Sequence, residues 1–326
     1  MATTTAKFSS TTDVTALSAA DFGKLTAVDL GLLNKAQAAL LSADQLNALP
    51  AASVTAISNV LKYIPADTLS GLATSKVTAL PVNVLTTDQL KGLTGDQLSA
   101  LTAVQVASFN KAQMTVLGAD NSLIAPLKLS GVNIANLPTL ANLSNAQISA
   151  LTPAQIGALS AAQVGTLSAD QAPALTAVQA PAFKTLSAFS ATNVIPNLDT
   201  KFVAALPGKT LATFSASQFN AVTEDQAKVL TSAQISALTA DKFANLGTSG
   251  ADIAVLTNAA LQGLNKTNIG TFNLTKLSGD GQFASFAPAQ LALLTTTQMG
   301  AVTADQAASL TAAQVAGLTS AQIKVL

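Results

Sequence analysis

Residues 151–182 read LTPAQIGA, LSAAQVGT, LSADQAPA, LTAVQAPA, four copies of one eight-residue phrase. Each begins with Leu, continues with Ser or Thr, passes two variable positions to Gln, and closes on an aliphatic or Ala and two small residues. Outward from this stretch the leading position recurs every eight residues through 17–57, 85–117, 143–183, 198–246, 256–272 and 286–326. Self-similarity at a fixed period marks a repeat architecture. Between the runs, near 58–84, 118–142, 184–197, 247–255 and 273–285, the composition persists but the phase is lost. The expected organisation is one repeat array over 17–326 with irregular joints. Residues 1–16 form an N-terminal segment available for contact with another subunit.

The period decides the element. At 100° per residue, successive leading leucines on one continuous helix would drift by about 80°, so no apolar stripe forms. A continuous strand would send positions 1 and 6 to opposite faces, in a composition poor in β-formers. A helix restarted in every octad fits. Ser or Thr followed three residues later by Gln is the capping-box pattern, and an apolar residue on either side supplies the hydrophobic staple. Thr152 and Gln155 between Leu151 and Ile156 make the whole device, as do Thr231 with Gln234 and Thr319 with Gln322. Pro153 and Pro288 fall at the first helical position, where a missing N–H costs nothing. Asp44, Asp88, Asp96, Asp170, Asp225 and Asp305 fall at the second, beside the positive end of the helix dipole.

These features predict an all-α solenoid of very short helices, with a β-solenoid as the alternative. Helices this short are marginal alone, so stability must come from stacking one coil on the next. Phe22, Phe109, Phe183, Phe214, Phe219, Phe243 and Phe272 replace aliphatics of the repeat and are expected in the core. Pro173 and Pro181, at position 7 of adjacent octads, require a helix of about one turn there or a joint. Pro50, Pro81, Pro138 and Pro207 mark corners. Gly279-Asp280-Gly281 reads as a turn between runs.

Composition narrows the function. Sixteen cations, all lysine, balance sixteen acids, of which Glu224 is the sole glutamate; there is no His, Cys or Trp, and one tyrosine, Tyr63. No imidazole or thiolate chemistry is available, and no zinc site of the usual kind. Without arginine or net positive charge, nucleic acid is not an expected partner. No apolar run has the roughly 18 residues that a membrane span needs, and the N-terminus lacks the apolar core of a secretory signal. Half the residues are apolar, which disorder does not allow. Serine and threonine have no activating base and are better explained as caps. The chain is expected to be no enzyme and to hold no cofactor.

One sharper reading remains for the six aspartates, that calcium bridges them along an edge of the solenoid. No Asp-x-Asp-x-Asp-Gly loop supports it, and solvated helix starts account for the same residues. A flat threonine array binding ice or crystalline polysaccharide is a further alternative, weakened by free Ser/Thr exchange and by the use of the hydroxyls as caps.

Tandem Leu-[Ser/Thr]-x-x-Gln-[Ile/Val] units, as in Leu143–Gly165 and Leu310–Leu326, resemble those of large bacterial secreted and surface-attached proteins of the adhesin and S-layer kind. The resemblance implies an extracellular or cell-surface, bacterial, structural or adhesive role, and carries over no functional residue. A repeat array without polar capping units has self-complementary ends, and a head-to-tail contact that does not close makes a filament. The expected partner is therefore another copy, joined through Leu17, Leu318, Ile323 and Leu326. The alternative is a monomeric spacer or adhesin segment presenting a surface to a glycan or a protein.

Overall fold

The octad around Thr231 shows how the sequence builds its element. Thr231 has the extended backbone of an N-cap, and its hydroxyl accepts from the Gln234 N–H at 3.3 Å, while Gln234 Oε1 accepts from the Thr231 N–H at 2.8 Å. One short helix, Ser232–Ser236, follows, and Leu238 closes the turn by donating its N–H to the Ile235 carbonyl. Thr239 then caps the next helix, Ala240–Ala244. Leu230, Ile235 and Leu238 are all buried.

The computed structural model describes residues 8–184, 186–247, 253–277 and 280–326. Within them every regular element is a helix, from single 3-10 turns of three residues to the nine-residue Lys111–Ala119, and no strand occurs. The protein is an all-α solenoid of short helices. Reciprocal capping boxes occur at Ser42, Thr86, Thr94, Thr102, Thr152, Ser160, Ser215, Thr223, Thr303 and Thr311, with Asn in the cap role at Asn34 and Asn110. At Ala287, which has no hydroxyl, only the Gln290 half of the box is made.

Prolines act where the pattern places them. Pro153 and Pro288 open their helices, whereas Pro50 and Pro207 stand at the caps of Ala51–Val54 and Gly208–Leu211. Pro173 and Pro181 reduce their helices to the 3-10 turns Ala172–Ala174 and Ala180–Ala182, because proline supplies no N–H for another turn. Where they are described, the segments that lose phase remain coiled. Asp and Asn serve as their caps, as at Asp120, Asn133 and Asn273, each accepting a hydrogen bond from the N–H two residues on. In the turn expected at 279–281, the described residues are helical instead. Gly279 lies outside the described residues, as do residues 1–7 and 248–252 of other expected segments, and Asp280 and Gly281 already belong to the helix Asp280–Ala284.

The chain divides into two compact units at Ala150/Leu151. In each, helices three octads apart lie side by side. In the first, Ala19–Phe22 packs on Ala43–Ala48; in the second, Gly208–Leu211 packs on Ser232–Ser236 and Pro288–Leu291 on Ala312–Ala316. The interior between coils holds the repeated leucines and all seven phenylalanines named above. At about 1.5–3 kcal/mol for each large aliphatic removed from water, this stripe is the main favourable term. Small residues let the coils approach: a Cβ on Gly263 would stand 2.1 Å from the Ser232 carbonyl oxygen.

Candidate assembly interface

The glutamine of each octad does more than cap. With Oε1 held by its own cap residue, the amide nitrogen of Gln234 points to the preceding coil and donates to the Val203 and Leu206 carbonyls at 2.7 and 2.8 Å. Gln45 does the same to Val14 and Leu17, Gln97 to Leu69 and Leu72, and Gln322 to Leu291 and Leu294. The sequence separations, mostly 25 to 31 residues, put one turn of the solenoid at between three and four octads. Gln234 is 1% exposed, yet its amide is fully engaged, as burial demands. Among the described residues no buried side-chain nitrogen or oxygen lacks a partner.

Departures from Gln at this third helical position, N3, show which half of the amide matters. Lys76 and Lys242 stand there, and their ammonium groups donate to the Leu49 and Ala212 carbonyls of the preceding coil. Thr68 donates its hydroxyl to the Leu41 carbonyl at 3.2 Å. Lysine cannot accept the cap N–H, so at these three positions the donor aimed at the coil behind is kept, whereas Phe202 and Ala260 at the same position have no side-chain donor. Sequence reading assigned this Gln to capping alone. The available signal was that glutamate, an equally good N3 acceptor, never takes the place of Gln in any octad.

The two ends differ. In the first coil Phe22 and Leu30 are fully buried, and N3 is occupied by Asp21 and Asp29. Their carboxylates fold back on their own caps: Asp21 accepts from the Ser18 hydroxyl at 2.7 Å and pairs with Lys24 at 3.0 Å, and Asp29 accepts from the Thr26 N–H and hydroxyl. In the last coil, aliphatics that are buried elsewhere face outward. Val315 is 40% and Ile323 51% exposed, where Ile235 and Leu291 at the same octad position are 0%. Val325 and Leu326 are also exposed. No side chain among the described residues donates to the carbonyls of Val302, Leu310 or Leu318, the counterparts of Leu206. Of the residues read from sequence as an interface, Ile323 and Leu326 therefore lie open, Leu318 is buried, and Leu17 is half-buried with its carbonyl taken by Gln45.

Five of the six aspartates read as calcium candidates are exposed in the first turn of a helix, and Asp170 is exposed in the turn leading into Ala172–Ala174. Asp88 and Asp225 pair with Lys91 and Lys228 at 3.7 and 3.2 Å. No group of three acidic side chains that could hold a metal occurs among the described residues. Hydrogen bonds from Thr15, Ser18 and Ser122 hold the Asp13, Asp21 and Asp120 carboxyls below their ordinary range, the reverse of what a proton donor needs. Glu224 and Asp225 raise the Lys228 ammonium. An open groove of about 420 Å³ beside Phe272, Asn273, Leu274, Thr295 and Gln298 is lined by no ionisable group.

Residues 140–177 match the family described as the ALTTAQ repeat, and Ala150-Leu-Thr-Pro-Ala-Gln155 reads onto that phrase with one change. No curated protein matches the chain. The match and the recurring octads together make this a repeat protein.

Proposed function

We propose that the chain is a non-enzymatic structural protein of a bacterial exterior that self-assembles head-to-tail into a filament, sheath or surface layer. The observation that carries this reading is the stacked seam, in which each octad coil covers the apolar face and the carbonyls of the one behind it. Val315, Ile323, Val325 and Leu326 face outward with a row of backbone carbonyls beside them, and inside the molecule such a face is covered by another octad coil. A heterologous contact of this kind does not close on itself and propagates. Zero net charge opposes it little. The placement outside the cell rests on the resemblance of the octads to those of secreted and surface proteins. The non-enzymatic reading rests on scattered, exposed carboxylates and the missing His and Cys.

Sedimentation velocity and electron microscopy of the purified chain test the proposal. Fibres or sheets are expected at micromolar concentration, and Val315→Asp/Ile323→Asp, which charges the open face, is expected to leave monomers. A wild-type protein that stays monomeric throughout contradicts it and favours the spacer reading.

A further inference from the structure

We propose that the solenoid folds in one direction, each finished coil acting as the template for the coil that follows it in the chain; the inference stands apart from how copies associate. The N3 bonds that tie coil to coil point one way. Gln89 in the first unit, and Gln226 and Gln298 in the second, all donate to carbonyls earlier in the chain. Corner bonds have no such polarity: Asn47 donates forward to Gly71 and Asn142 back to Gly118. The two sides of an N3 bond ask different things of the chain. The acceptors for Gln226 are the Ile195 and Leu198 carbonyls, which reach one nitrogen at 2.7 and 2.9 Å. They converge because their coil is already wound, the Leu198 N–H closing on the Ile195 carbonyl at 3.2 Å. The donor is a single side chain. An unwound segment can place one Gln Nε2 between two fixed carbonyls without first winding itself. Oε1 then lies ready for the Thr223 N–H, 2.9 Å away in the completed box, so capture starts the next helix. In the reverse direction a finished coil offers its amide to an unwound segment, which must fix a whole turn before both carbonyls arrive. That turn is the unfavourable nucleus of helix formation, a factor of about 10⁻³. The same two hydrogen bonds lower the barrier to growth toward the C-terminus and leave it in place toward the N-terminus. Phe202 and Ala260 bring no donor, and docking there rests on apolar contact, as where Phe202 meets Phe183 edge-on at 5.7 Å. A chain that emerges N-terminus first, from a ribosome or an export channel, then buries each octad as it appears.

Pulse-labelled hydrogen exchange of the whole chain, read by mass spectrometry, tests the direction. Growth toward the C-terminus reverses on unfolding, so in denaturant the wild type is expected to lose protection first in 290–298, then in 226–238 and last in 195–206. Simultaneous loss, or the opposite order, overturns the inference. On refolding, Gln226→Glu keeps the acceptor for Thr223 and loses the donor to the coil behind. Protection of 226–238 is expected to return roughly tenfold more slowly in this variant, as the loss of two hydrogen bonds would give, while 195–206 keeps the wild-type rate. An equal delay in both segments, or none in 226–238, overturns the inference as well. Circular dichroism verifies that the variant regains the native fold, and if it does not, the wild-type order of unfolding decides alone.

Discussion

At the scale of the residue, the octad assigns one task to almost every side chain, and most tasks are legible. Leu and Ile are buried because a helix of five residues has no other source of stability. Thr and Ser are caps, and Thr231→Val, which keeps the shape and loses the acceptor, is expected to cost about 1 kcal/mol in chemical denaturation. An unchanged midpoint would mean that the hydroxyl is not the cap. The second task of Gln was hidden because capping already explained it: the box asks only for an acceptor, and the partners of Nε2 lie some 25 to 31 residues away. Charge has a smaller part. With no histidine, nothing in the side-chain inventory titrates across neutrality. The Asp13, Asp21 and Asp120 carboxyls are lowered in the folded state, so their contribution is complete above the ordinary carboxylate range and is lost as pH falls through it. Melting temperature is therefore expected to be level from about pH 5 to 8 and to decline below about pH 4; a maximum within the level region would contradict this.

At the scale of the element, the restart of a helix at every eighth residue followed from Leu-[Ser/Thr]-x-x-Gln alone, while Pro173 and Pro181 allowed a one-turn helix or a joint, and the structure has the short 3-10 turn at both. The stretches between runs were less legible. Asp120, Asn133 and Asn273 cap their turns with a carboxylate or amide in place of a hydroxyl, without the Gln that makes the phrase recognisable, so the coil continues where the pattern breaks. Spacing between coils also escapes a local reading, since a glycine shows its purpose only when its neighbour is known. Gly263→Ala is expected to destabilise by about 1–3 kcal/mol, because the new methyl meets the Ser232 carbonyl. Gly95, which opens the helix Gly95–Ala100 with nothing within 4 Å of a Cβ, is expected to gain about 0.4–1 kcal/mol as Ala. Equal effects at both sites, read by chemical denaturation, would refute the close approach of coils at Gly263.

At the scale of the whole molecule, the number of octads per turn could not be read from the sequence. It depends on the angle at each corner, set by two or three backbone dihedrals that no residue type fixes, and becomes visible only through the contacts of Gln, Lys and Thr with the coil behind. The division at Ala150/Leu151 falls inside an unbroken run of octads and has no sequence mark. What joins coil to coil is a stack of similar interfaces, so stability is close to a sum of interface terms and one N3 site can report on the principle. Gln234, buried and inside an unbroken run, is that site. Gln234→Glu preserves the acceptor for Thr231 and removes the donor to Val203 and Leu206, whereas Gln234→Lys does the opposite, as Lys242 does naturally. The unfolding free energies of these two variants, measured side by side, test the account most directly. Lys is predicted to be the milder change, with Glu costing about 3 kcal/mol or more through a buried carboxylate facing two carbonyls. A Glu variant as stable as wild type, or more stable than the Lys variant, would mean that capping alone explains the glutamine and that the coils are not held by its amide.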